Sequence, residues 1–155
     1  MADLPSAVLF ACTLNEIRSP MAEAILKHLH GHHIYVDSVG VRAGNEVDGF
    51  AVTVMDEIGI DLTKHRPKTF DDLEDTSYDL VISLSPEAQH KAVEMTRTMA
   101  CEVEFWPTFD ASIVEGGREV RLAAYRQVRD ELLAKITRRF PAGFGGSIGQ
   151  NQETS

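Results

Sequence analysis

Ala7-Val8-Leu9-Phe10-Ala11-Cys12 is an unbroken apolar run that stops at the polar stretch Thr13-Leu14-Asn15-Glu16-Ile17-Arg18-Ser19-Pro20. A strand without polar alternation is covered on both faces, and helices on both sides of a parallel sheet are the usual cover. Ser19 suits a helix N-cap and Pro20 the first helical position, so the polar stretch is expected to open a helix. The backbone N–H groups from Thr13 through Leu14, Asn15, Glu16, Ile17 and Arg18 to Ser19 then turn toward the helix's positive end, an arrangement that cradles phosphate or a similar oxyanion. Cys12 enters this field from the strand side. Arg18 can fold over the loop and offer its planar fork to two oxygens of one anion.

A free thiol is only a few per cent ionised at neutral pH, and the positive end of a helix and a nearby guanidinium are two features that favour the thiolate. A Cys and an Arg at this spacing are also compatible with a buried structural cysteine. The strand, the cap, the proline and the amphipathic helix around the pair favour the nucleophile.

The rest of the chain repeats the strand-helix alternation. A helix over 20–29 places Ala22, Ile25, Leu26 and Leu29 on one face and stops at Gly31. A strand over 33–40 completes a β-α-β unit, and its Ser38 falls at the carboxyl end, the edge where open α/β sheets bind ligands. The polar loop 41–48 is long enough to wall a cleft. A second helix over 49–58 aligns Ala51, Val54, Met55 and Ile58, and a short acidic helix is expected over 69–75. Then come a strand over 78–84, a helix over 86–97, a strand over 101–106 and an irregular stretch over 107–112. A long helix over 118–139 turns Leu122, Tyr125, Val128, Leu132 and Ile136 toward the sheet, and Pro141 ends it. The pattern predicts one three-layer α/β/α domain over 1–141 with a four-stranded parallel sheet. The Gly-rich segment 142–155 reads as a disordered tail.

Composition narrows the chemistry. With 24 acidic against 15 basic residues, the formal charge of −9 disfavours nucleic acid and anionic membrane as partners. No stretch suits a signal peptide or a membrane span, and two cysteines, Cys12 and Cys101, give neither a disulfide framework nor a zinc spacing, so a reducing cytoplasm is the expected setting. His28, His30, His32 and His33 crowd the end of the first helix without a thiolate or carboxylate at ligand spacing. They read as a solvated helix terminus, and no metal or cofactor is expected.

The segment VLFACTLNEIRSPMAEAIL, with its C-x5-R-S-P core, resembles the phosphate-binding loop of the low-molecular-weight protein tyrosine phosphatases and their arsenate-reductase relatives. Cys12, Arg18, Ser19 and Pro20 match that loop, and Asn15 matches its asparagine. Leu14 stands where a glycine is usual, and Ile17 where many members have a second cysteine. DSVG, containing Ser38, is similar to a segment whose serine holds the loop. GIDLTKHR is similar to one whose histidine, here His65, braces the asparagine. WPTFDAS is similar to the acid-bearing segment, with Asp110 as the acid and Ala111 in place of proline, and without the aromatic residues that follow it in the family. The resemblance spans roughly residues 7–140 and implies a flavodoxin-like strand order 2-1-3-4 and a monomer or weak homodimer.

It also implies a cofactor-free phosphomonoester hydrolase in which Cys12 is the nucleophile, Arg18 and the loop amides bind the anion, and Asp110 is the acid and then the base. Ser19 would hydrogen-bond the thiolate, and the substrate would be a phosphorylated protein or a small phosphomonoester. Two alternatives stand beside it. One is an arsenate reductase drawing on an external thiol, since Ser85 and the region near Ala92 lack the family's shuttle cysteines. The other is a weakly catalytic oxyanion-binding or regulatory protein, should Leu14 require a positive φ or Glu16 repel the anion.

Overall fold

Strand β1, Ala7–Cys12, is buried along its whole length and lies inside a parallel sheet of order β2-β1-β3-β4. Its partners are β2, Tyr35–Gly40, and β3, Leu80–Ser83, with β4, Glu102–Phe105, on the far edge. This arrangement is that of the computed structural model, which describes residues 4–74 and 77–141. The predicted tail 142–155 lies outside the described residues. Helices α1, Arg18–His30, α2, Gly49–Asp56, α3, Pro86–Met95, and α4, Arg118–Arg139, follow in chain order between and after the strands.

Alternate residues of a strand point to opposite faces, and here each face has its own cover. Val8, Phe10 and Cys12 pack with Ile25 and Leu26 of α1, Val54 and Met55 of α2, and Tyr125, Leu132 and Ile136 of α4. Ala7, Leu9 and Ala11 pack with Val81 and with Ala88 and Ala92 of α3. The register sets Cys12 beside Gly40 and Ala11 beside Ser83, so the carboxyl ends of three strands finish at one level. The chain runs outward from β1 to β2 and then returns to β3 on the other side of β1. The loop after β1 therefore opens at the switch point of the sheet, the crevice where such folds bind ligands.

Helix α4 is tied to α2 by charge as well as packing. Glu57, at the end of α2, accepts from Arg126 and Arg129, and those hydrogen bonds lower its carboxyl pKa to about 2. Among the described residues no helix is long and apolar enough to cross a membrane.

Three local expectations are corrected. Helix α1 begins at Arg18, with Ile17 as an N-cap that makes no side-chain bond. Ser19 is thus inside the first turn, its hydroxyl committed to Cys12 and Asn15 rather than to a cap. Pro20 falls at the third helical position instead of the first, and fits there because the first four N–H groups of a helix have no helical acceptor. The acidic segment forms only a 3-10 turn, Phe70–Asp72, closed by Thr69 and Asp72 across a capping box, and Asp75 lies outside the described residues.

The histidine cluster also divides. His28, His32 and His33 are exposed, but His30 is buried and its Nε2 lies 2.8 Å from the carbonyl oxygen of Phe140, where it ties the end of α1 to the end of α4. His30→Ala leaves that buried carbonyl without its partner and is expected to cost about 1–3 kcal/mol in urea unfolding, whereas His28→Ala stays within about 0.5 kcal/mol. Equal losses for the two variants would refute the distinction.

Candidate active site

The loop between β1 and α1 wraps around the Cys12 sulfur. The Asn15 backbone N–H donates to Sγ at 3.3 Å, and the Ser19 hydroxyl lies 2.9 Å from the same atom. Asn15 makes this turn with φ 61°, a left-handed conformation that asparagine tolerates better than most residues. No other non-glycine residue among those described has a positive φ, so Leu14, in place of the usual glycine, is not strained there. The backbone N–H groups of Leu14, Glu16 and Ile17 find no protein acceptor among the described residues. Together with the free first-turn amides of α1, they form the donor ring of an anion cradle.

The Asn15 side chain fixes the network behind the sulfur. Its Oδ1 accepts the Lys68 backbone N–H at 3.0 Å, and a backbone amide can only donate, so the orientation of the Asn15 amide is set. Nδ2 must then donate to both Ser19 Oγ, at 2.8 Å, and Ser38 Oγ, at 2.9 Å. Each serine, having accepted from Asn15, turns its own proton elsewhere. Ser38 donates to Glu23 Oε1 at 2.5 Å, and Ser19 directs its proton to Cys12 Sγ or to the Val39 carbonyl at 3.3 Å.

His65 closes the ring, its Nε2 lying 3.0 Å from Asn15 Oδ1 and 3.1 Å from Asn15 O. Both are acceptors, so Nε2 holds the proton. Nδ1 faces the Glu23 carboxylate at 3.8 Å.

The side wall comes from the loop over 41–48. It lies along the cradle through Val41 N–H to Cys12 O, Arg42 N–H to Thr13 O, Gly44 N–H to Leu14 O and Asp48 N–H to Glu16 O, all at 2.9–3.0 Å. Gly40 begins this contact, and a Cβ there would lie 2.8 Å from the Asn15 nitrogen and 2.6 Å from Arg42 O. Only glycine lets β2 approach the cradle so closely.

Arg18 reaches across the mouth, donating from Nη1 to Thr108 O at 3.1 Å and from Nη2 to Thr13 Oγ1 at 3.4 Å. Thr13 Oγ1 bonds Ser85, the N-cap of α3. A cavity of about 190 Å³ opens above the sulfur, lined among others by Cys12, Arg18, Glu16, Glu87 and Asp110. Asp110 accepts the backbone and hydroxyl donors of Ser112 on one oxygen, Oδ1, and caps the short 3-10 turn Ala111–Ile113.

The structure thus gathers Cys12, Arg18, Asp110, Ser19, Ser38 and His65 around one loop. Sequence reasoning missed Glu23, Lys68, Thr13 as an anchor of Arg18, and Gly40. An acid on the otherwise apolar face of α1 was the available signal for Glu23, since such a residue is almost never buried without partners. Lys68 acts through its backbone N–H and left no trace in residue type.

Burial lowers the His65 pKa below its ordinary 6.5, more than the facing Glu23 raises it. A histidine depressed in the folded state supports folding above its unfolded pKa and withdraws that support as pH falls through the folded value. Between about pH 7.5 and 5 the wild type should therefore lose stability faster than His65→Gln, by up to about 1.4 kcal/mol per pH unit. Parallel urea-stability curves for the two proteins would show that protonation of His65 is not resisted.

Comparison with known proteins bears on this geometry. Over 129 residues the chain is 34% identical to an arsenate reductase of Halalkalibacterium halodurans, covering 83% of this chain and 91% of that protein. It is 33% identical over 125 residues to an arsenate reductase of Bacillus subtilis, covering 81% and 88%. Among solved structures it is similar to a low-molecular-weight protein tyrosine phosphatase from T. tengcongensis, with TM-score 0.71, 27% identity, and 86% and 97% of the two chains covered. The sequence profile described as low molecular weight phosphotyrosine protein phosphatase matches residues 7–139. With the anion cradle closing on a cysteine in the same span, the chain belongs to the low-molecular-weight phosphotyrosine protein phosphatase family.

Proposed function

We propose that the protein hydrolyses phosphomonoesters through a cysteinyl-phosphate intermediate. The observation that carries the reading is the pairing of a cysteine sulfur, contacted by a backbone N–H and a serine hydroxyl, with an arginine and a carboxyl group on the same small cavity. Cys12 Sγ attacks phosphorus while the cradle amides and the Arg18 fork hold the equatorial oxygens. The sulfur–phosphorus bond forms as the ester oxygen–phosphorus bond breaks, and the Asp110 carboxyl gives its proton to the departing oxygen. Both Ser112 donors occupy Oδ1, which leaves Oδ2 to serve the cavity. Water then attacks phosphorus, Asp110 takes a proton from it, and the thiolate leaves with inorganic phosphate as the product. Ser19, oriented by Asn15, donates to the sulfur whenever it is anionic.

The similarity to arsenate reductases supports a second reading, in which arsenate condenses with the same sulfur as water leaves, an external thiol attacks that sulfur to form a mixed disulfide and release arsenite, and a second external thiol restores the Cys12 thiol as the external disulfide leaves. An internal disulfide relay does not fit. Cys101 precedes β4, at the amino edge of the parallel sheet, whereas Cys12 ends β1 at the carboxyl edge. Strands of this length separate the two edges by more than about 10 Å, beyond the Cα separation of about 7 Å that a disulfide can span. Ser85 caps α3, and Ala92 is fully buried on that helix's inner face.

Steady-state hydrolysis of para-nitrophenyl phosphate with a chelator present, over about pH 4.5–8, separates the readings. Wild type should turn over without metal, Cys12→Ser should be inactive, and Asp110→Asn should fall about 10²–10⁴-fold. A folded wild type that leaves the ester intact but reduces arsenate with an added small thiol would overturn the hydrolase in favour of the reductase.

A further inference from the structure

Glu16 belongs to the cradle by its backbone, yet its side chain has the charge that an anion site excludes. The half-buried carboxylate lines the cavity above Cys12, with Oε2 accepting the Asn45 N–H at 3.1 Å. Its place is reserved, because a Cβ on Gly44 would lie 1.8 Å from Oε2. Of the neighbouring carboxyl groups, Glu87 is engaged with Arg42 at 3.2 Å, and Asp110 gives one oxygen to Ser112 and keeps the other for the departing ester oxygen. Among the described residues no lysine, arginine or histidine pairs with Glu16.

A bare oxyanion entering this cavity meets repulsion from Glu16 beside the attraction of Arg18 and the cradle amides. An ester that brings its own cation within reach turns the same carboxylate into an attractive contact, and at partial burial that contact is less screened than in open water. Leu14, also on the cavity wall and 39% exposed, offers an apolar strip beside the carboxylate. A lysine or arginine side chain, with an aliphatic stem and a charged head, matches the pair.

We propose that Glu16 is a specificity-determining residue that selects phosphomonoesters with a positively charged group beside the phosphate, such as a phosphorylated side chain flanked by arginine or lysine. Free oxyanions and acidic phosphopeptides are disfavoured by the same carboxylate. The inference rests on the phosphatase reading and names its substrate class.

The test compares kcat/KM for two phosphotyrosyl peptides that differ only in flanking arginines or flanking glutamates, together with inhibition by inorganic phosphate and hydrolysis of para-nitrophenyl phosphate. Wild type should favour the arginine peptide by about fivefold or more at low ionic strength, a margin that narrows in about 0.5 M salt. Glu16→Gln keeps an oxygen for the Asn45 N–H. It should reduce that margin to about twofold or less while phosphate inhibits about two- to fivefold more strongly. Weaker peptide discrimination with tighter phosphate binding is a combination that a damaged cradle does not give. Equal rates for the two peptides, a preference for the acidic one, or a margin unchanged in Glu16→Gln would overturn the inference and leave the phosphatase reading standing on the nitrophenyl ester. Failure of folded wild type on all three esters would overturn both.

Discussion

The left-handed turn at Asn15 is the constraint on which the site depends. It brings a backbone N–H onto the Cys12 sulfur, and it is held by a side chain whose amide nitrogen and oxygen both make two bonds while the residue is wholly buried. A buried amide with all four bonds made is a rigid part, whereas one with a bond missing costs about 1–3 kcal/mol. Asparagine alone meets both demands. Aspartate lacks the donors for Ser19 and Ser38, glycine meets the backbone requirement but brings no bonds, and glutamine sets its amide one methylene too far. Because Lys68 supplies a backbone donor to Oδ1, the orientation of the Asn15 amide and the acceptor role of both serines toward it follow from one geometric fact.

That orientation matters for an acidic protein with a cradle shaped for an anion. A formal charge of −9 opposes binding at long range, so attraction must be local and oriented in advance. The cradle amides, the start of α1 and Arg18 are placed to supply it from the front, and the bond from Asn15 leaves the Ser19 hydroxyl proton free to turn toward the sulfur from behind. The cradle amides and the first turn of α1 are fixed by the backbone before any charge develops, which is the condition under which such dipoles lower a barrier. The acidic groups nearest the site are mostly engaged with partners: Glu23 with Lys27 and Ser38, Asp37 with Lys68, Glu87 with Arg42.

Much of this was legible from residue pattern. The apolar run ending at Cys12 and the periodic helices gave the layers, because burial on both faces leaves a plain signature, and α4 coincides with its expected 118–139 span. The start of α1 was misread because Ser19 has the chemistry of a cap, and only tertiary context shows that a better acceptor and donor, the sulfur and Asn15, compete for the hydroxyl. His30 was read as solvated for a similar reason. Its carbonyl partner lies on Phe140, far along the chain, and no local pattern announces so distant a contact. The contributions of Lys68 and of the loop over 41–48 pass through backbone groups, which every residue has, so residue identity could not reveal them.

The supports of the cradle are thus divided between two sides with different tolerance for change. Behind the sulfur, the side chains are bonded one to the next, the buried Asn15, Ser38 and Glu23 in one direction and the partly buried His65 in the other, so altering one member strands its neighbours. Beside the sulfur, the wall over 41–48 is held by main-chain bonds to the cradle, which survive many changes of side chain. Leu14 and Glu16 depart from a merely anion-friendly loop on this second side, and neither disturbs the φ of Asn15 or the bonds to Sγ. Chemistry is therefore fixed by the buried half, while the half facing the wall can vary in charge and shape, and it is there that one member of such a family can come to prefer a substrate its relatives do not.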